Sequence, residues 1–351
     1  MAEIIQVSFF QIIQRINSMV YINGIGAISV QNHEVLTIPD ISETKHIRCQ
    51  DIDFSSYIPP MAARRMSKII KRAIVSAKMA LADAHLEMPD AIISGTGLGC
   101  IEDTEKFLTA LLQNNETLLQ PTHFIQSTHN TISSQIAMQL KCYGYNNTYS
   151  HLGISCESAL LDAFLQIETM AFQSALVGGH DEMTPNYHLM LAKLGFWKYC
   201  FSGEGCTNFV VSSERNPHSY CKIETIRLFY NPKTISDIQN EIAQMLKSVK
   251  IELKEIDLVM TGKSGDPDND IIYDTLYTTL LPIPQLTYKQ FSGEYFTASA
   301  FGIALASKIL KTQDIPEICL SNINKKTPIR HILFHQHFHN QAHALILLSS
   351  C

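Results

Sequence analysis

Hydrophobic and polar positions alternate between two periods along this chain, and the switches between them outline its elements. Residues 19–30, MVYINGIGAISV, read as a strand that leaves through a glycine turn. Residues 66–83 place Ile69, Ile70, Ala73, Ile74, Ala77, Ala80 and Leu81 at helical spacing, which predicts an amphipathic helix. PDAIISGTGLG (89–99) predicts a buried strand ending in glycines. The later half repeats the theme. TISDIQNEIAQMLKSV (234–249) predicts a helix capped by Thr234 or Ser236, and EIDLVMTGKSGD (255–266) another buried strand with a glycine exit. Between them, residues 149–164 and 174–183 predict a strand, a sharp turn, a buried helix and a strand ending at Gly178–Gly179. FSGEGCTNFVVSSE (201–214) adds a glycine turn and a strand. Two helix-then-strand units, each entered through a short Asp-bearing turn, point to a duplicated α/β architecture. No Pro/Gly/Ser-rich linker divides it, so one compact unit is expected.

Composition narrows the function classes. Only 17% of the 351 residues are charged, against a usual ~25%, so much of the surface should be hidden in an oligomer. The net charge is −6, and lysine and arginine are scattered apart from Arg64, Arg65, Lys68, Lys71 and Arg72. That excludes a nucleic-acid-binding stripe. The basic run reads as a solvated helix face, with a docking patch for an acidic partner as the lesser reading. Nine dispersed cysteines without a CxxC suggest a reduced, cytoplasmic thiol set, with Cys142 and Cys200 as core filler. Residues 1–18 are apolar but carry Glu3 and lack a basic start. They read as an amphipathic arm or as an extension upstream of Met19, not as a signal peptide. No run of about 20 apolar residues could span a bilayer. GTGLG is too short for a dinucleotide fingerprint, and no cofactor is expected.

Taken in order, the motifs from residue 19 onward resemble the β-ketoacyl-ACP synthases, the condensing enzymes of the thiolase fold. VYINGIGAIS is similar to their opening strand, IISGTGLG to their I-x-G-T-G-x-G turn, ALVGGHDEM to their Gly-Gly strand end, and FSGEGCTNFVV to their G-E-G-A turn, with Glu204 in place. Asn130 stands where the family carries an asparagine before an alanine/isoleucine-rich helix. The resemblance implies an α/β, thiolase-like fold: duplicated βαβαβ halves, here 19–215 and 216–351, in a layered αβαβα arrangement.

Active members use one cysteine and two histidines, and the resemblance places those three positions here. Counting from Gly144 and from Gly178–Gly179 puts the cysteine position at Gly153. Aligning CESALLDA instead would select Cys156, but it removes three residues from the following helix and turns its buried face by about 60°. The first histidine motif, H-G-T-x-T-P-x-x-D, corresponds to GKSGDPDND. Gly262 holds the histidine position, and Pro267 and Asp270 are retained. The second, K-x-x-x-G-H, corresponds to KQFSGE, with Lys289 retained and Glu294 replacing the histidine. The glycine-rich closing loop reads HFHNQAH. Glycine carries no nucleophile, and an anionic Glu294 paired with Lys289 opposes a developing enolate.

Each residue also has a plainer reading. Cys156, at a helix start, is either a displaced nucleophile or a small buried filler, with His129, His151 and His180 the nearest bases by sequence. Glu294 and Lys289 form a structural pair or a recruited polar site. His335, His337 and His339 share one strand face, with His331 and His343 close by. This is a metal cluster or strand-end packing, and no acidic or cysteine partners favour metal. The reading that combines these features is a non-catalytic homologue acting as a chain-length-factor-like partner of an active ketosynthase. The pathway class would be type II polyketide, aryl-polyene, flexirubin-type or fatty-acid-related. An active synthase (or a second copy) and an acyl carrier protein would be its partners. The alternatives are a divergent acyltransferase using Cys156 and an acyl-chain or carrier-protein binding module.

Overall fold

Side-chain alternation along the strands decides the layering. The computed structural model describes residues 19–31, 36–42, 44–50, 52–115, 117, 121–319 and 328–351. The segment 1–18 lies outside them. Among the described residues there are ten strands: β1 (Val20–Ser29), β2 (Ala91–Gly95), β3 (Tyr145–Tyr149), β4 (Ser174–Asp181), β5 (Gly205–Ser212), β6 (Cys221–Tyr230), β7 (Leu258–Thr261), β8 (Gln285–Thr287), β9 (His331–Phe338) and β10 (Ala342–Ser349). The helices that matter are α1 (Lys68–Asp83), α2 (Ile101–Gln113), α3 (Thr131–Leu140), α4 (Ser155–Glu168), α5 (Pro185–Lys193), α6 (Ile235–Val249), α7 (Pro267–Asp274) and α8 (Ser299–Thr312).

The strand order is β3-β2-β4-β5-β1-β6-β10-β9-β7-β8. Outward from the β1·β6 seam, the first half runs first-fifth-fourth-second-third, and the second half, counted from β6, runs the same way. The duplication expected from the helix-then-strand units is therefore a topological repeat, with Cys221 of β6 opening the second copy.

Neighbouring strand residues face opposite layers, as the pleat requires. Ile93, Val177 and Phe209 from the first half and Met260, Phe334 and Ile346 from the second point into one core with α4 and α8. Ile92, Leu176 and Val210 turn the other way, onto α1 and α3. Val259, Leu333 and Leu345 turn onto α6 and α7. Two half-sheets thus sandwich α4 and α8, with helices outside each: the five-layered αβαβα arrangement.

Local chemistry fixes the ends of the elements. Thr234 caps α6, accepting from the Asp237 N–H at 3.3 Å while the Asp237 carboxylate accepts from the Thr234 N–H at 2.8 Å. The start of α4 is pressed onto the end of β2. A Cβ at Gly95 would overlap the Ser155 backbone, so only glycine allows that approach.

Arg72 departs from expectation. Arg64, Arg65 and Lys68 are exposed, but Arg72 is buried and does not belong to a solvated face. It forms a 2.7 Å ion pair with the equally buried Glu204. The helical period places residue 72 beside the core residues Ile69 and Ala73, and the charge is tolerated there because a carboxylate faces it.

Candidate functional site

Five chain segments from both halves line one cavity of about 380 Å³. The 3₁₀ turn before α4 contributes Gly153, and the exit of β7 contributes Gly262. The short helix Lys289–Ser292 and the residues after it contribute Lys289 and Glu294. The end of β9 contributes Gln336, His337, Phe338 and His339. The far wall comes from the segment following α5, with Leu194, Phe196, Trp197 and Cys200. The positions singled out in the sequence as 153, 262 and 294 therefore share one cavity with Lys289.

Glu294 and Lys289 form an ion pair at 2.6 Å. Lys289 is buried and Glu294 partly open to the cavity. The Glu294 N–H donates to the Phe201 carbonyl at 2.9 Å, which ties this loop to the 201–205 turn. Asp270 accepts from the Ser264 and Gly265 N–H groups at 3.0 and 2.8 Å and so shapes the loop beside Gly262. Burial raises its carboxyl above the usual range, and those two donors pull it back. Glu204 acts further away, as a clamp: its carboxylate accepts from the Cys49 N–H, the Arg72 guanidinium and the Met183 N–H at 2.9, 2.7 and 3.2 Å. Asn130 is not brought to the cavity; it is exposed at the N-terminus of α3.

Cys156 also stands apart from the cavity. It is 0% exposed, packed in the central core near Gly179, and burial raises its thiol well above the ordinary cysteine value. A protonated thiol sealed in the core has neither the charge nor the access of a nucleophile. Among the histidines weighed as its base, His151 instead bonds the Ser158 hydroxyl at 2.9 Å. His129 is exposed beside Gly99. His180 is completely buried, and desolvation lowers it to about 3.

The C-terminal histidines form a buried hydrogen-bonded network. Tyr277 donates to His335 Nδ1 at 2.8 Å, His335 Nε2 to His343 Nδ1 at 3.1 Å, and His343 Nε2 to the Asn340 side-chain oxygen at 2.9 Å. His337 accepts from the Asn340 N–H at 3.2 Å and donates to the Asn269 carbonyl at 3.0 Å. One proton order satisfies every ring with neutral imidazoles. Desolvation, reinforced by the neighbouring rings, holds His335 well below the usual value and His337 at about 3; His343 lies at about 4, chiefly through burial. His337 lines the cavity, yet both its nitrogens are committed. His339 departs from the expectation of a shared strand face: β9 ends at Phe338, and His339 is exposed in the following turn. Among the described residues, no group of three or more His, Cys, Asp or Glu is placed to hold a metal ion.

Sequence reasoning missed several residues here. Cys200 is half-buried and lines the cavity, so it is not core filler; desolvation raises its thiol to about 12. Asp181 lies beneath the glycine turn. It accepts from the Gly97 and Thr297 N–H groups at 2.9 Å each and joins the two halves. The sequence signal for it was the DEM that follows Gly178–Gly179. Phe338 was visible only as part of the altered closing loop HFHNQAH, and Gln336, just before that loop, was not singled out at all. The Phe338 ring stands where a Cβ on Gly153 would be, and the Gln336 side-chain oxygen stands where a Cβ on Gly262 would be.

Comparison with known proteins agrees with this architecture. Residues 43–201 match the family described as beta-ketoacyl synthase, N-terminal domain. Among curated proteins none matches. Solved structures align with 95% of the chain. The ishigamide ketosynthase/chain length factor superposes with a TM-score of 0.77 at 17% identity, over 95% of this chain and 99% of that one. The AntDE:AntF complex, a type II PKS acyl-carrier protein with its ketosynthase, gives 0.76 at 15% identity over 95% and 99%. A beta-ketoacyl synthase from Burkholderia phymatum gives 0.76 at 14% over 95% and 100%. The chain thus takes the thiolase-like fold of these ketosynthase structures. More particularly, its residues 43–201 match the family described as beta-ketoacyl synthase, N-terminal domain, within a fold that superposes over 95% of the chain.

Proposed function

We propose that this protein is a non-catalytic ketosynthase homologue that serves as the chain-length-factor-like partner of an active ketosynthase in a type II polyketide or related lipid pathway. One observation carries the reading. The positions matched to the family's cysteine and histidines converge on a single cavity, and that cavity offers two glycines and a Lys289-paired carboxylate in their place. Without a thiolate there is no acyl acceptor. Without the imidazoles, and with Glu294 adding negative charge, no enolate is stabilised. The committed nitrogens of His337 and the sealed Cys156 supply no substitute.

The edge of the sheet supports the partner. β3 is a terminal strand whose outer side is unpaired among the described residues, and Tyr143, Tyr145, Leu152 and Leu165 are exposed on and around it. An apolar surface beside an open edge is where another chain can add. The exposed Arg64, Arg65 and Lys68 suit an acidic carrier protein. The test is co-expression with a Cys-His-His ketosynthase of the same gene neighbourhood. Expected is a stable one-to-one complex that Leu165→Glu weakens at least tenfold, since a buried unpaired charge costs more than ~1.4 kcal/mol. A chain that purifies only as a homodimer and never captures the synthase contradicts the proposal.

A further inference from the structure

The two vacated positions are not empty. Phe338 and Gln336, two residues apart on β9, each fill the space beside one of them. At Gly153 the conflict includes the Phe338 Cβ, 2.9 Å from where an alanine methyl carbon would stand, as well as ring atoms, so turning the ring does not relieve it. The ring is also held by its neighbours, with Phe296 at 5.9 Å and His339 at 4.3 Å between centroids. At Gly262 the obstacle is the Gln336 amide. Its oxygen accepts from the buried Tyr288 hydroxyl at 2.8 Å and its nitrogen donates to the His337 carbonyl at 3.0 Å, so the amide is fixed at both ends. Swinging it away would strand a buried hydroxyl.

We infer that the end of β9 is a built-in plug: Phe338 and Gln336 occupy the volume of the missing catalytic side chains, and glycine at 153 and 262 has become a packing requirement. The inference rests on the reading of 153 and 262 as the altered catalytic positions and deepens it. The site is closed by the protein's own strand, so restoring a side chain at either position alone collides with its plug. The loss of glycines from the closing loop and the gain of glycines at the two catalytic positions are then one coupled change.

Two double-mutant cycles on the full chain, read by thermal unfolding, test this independently of any partner. Overpacking by one methyl should lower Tm by about 1–4 °C in a chain of this size. Gly153→Ala should show that fall in the native chain and none when combined with Phe338→Gly. Gly262→Ala should show it in the native chain and a smaller fall when combined with Gln336→Ala, because the Tyr273 hydroxyl also stands 3.0 Å from the added methyl carbon. The second pair shares no substituted residue with the first, so a Phe338→Gly variant that fails to fold leaves the test intact. Equal losses with and without the plug residue, or no loss in the native chain, would overturn the inference. Because the cycles need no synthase, failure to find a heterodimer and failure of the plug are separate results.

Discussion

Glu157 is a buried carboxyl whose oxygens have no hydrogen-bond partner of ordinary geometry among the described residues, one turn along α4 from Gly153. Desolvation raises it from 4.5 to about 7, and the Ser299 hydroxyl and Lys289 ammonium offset this only in part. A carboxyl that holds its proton more tightly when folded loses stability as pH climbs from its unfolded value towards its folded one. Glu157→Gln removes that loss. The variant's stability relative to the native chain should therefore rise between pH 4.5 and about 7, by on the order of 3 kcal/mol, and stay level above. Thermal unfolding across that range checks it; parallel curves for the two proteins contradict it. At this same scale the sequence was most informative about positions and least about neighbours. Counting along motifs selects Gly153, Gly262 and Glu294, and all three line one cavity. Nothing in a linear pattern says that Phe338 lies over Gly153, because that contact joins residues from opposite halves of the chain.

Elements show the same division between pattern and contact. The period-3.6 stripe of α1 and the buried-strand runs of β2 and β7 were legible because burial on one or both faces dictates residue type. What the pattern could not reveal was the exception within a stripe. Arg72 sits among core residues because Glu204, contributed by the turn before β5, waits for it. Cys200 was misjudged for the converse reason: a small sulfur residue is ordinary in a core, and only the path of the segment after α5 brings it to the cavity wall. The Arg72–Glu204 pair joins α1, the loop at Cys49 and the end of β4. Glu204→Gln leaves the guanidinium buried without a counter-charge. The expected cost is about 3–5 kcal/mol in denaturant unfolding, and a loss under about 1 kcal/mol would contradict the clamp.

The whole molecule is a repeated five-strand unit folded around α4 and α8. Such a scaffold needs its central helices and half-sheets to hold its shape, but not its catalytic side chains, so the site can change while the fold persists. Its low charge predicts hidden surface, and β3 is a terminal strand unpaired on its outer side among the described residues. The central claim, that the cavity takes no acyl group, is tested most directly by intact-protein mass spectrometry after incubation with an acyl-carrier-protein thioester. The expected result is an unchanged mass for the native chain. A stoichiometric acyl adduct, mapped by digestion to Cys156 or Cys200, would contradict the account.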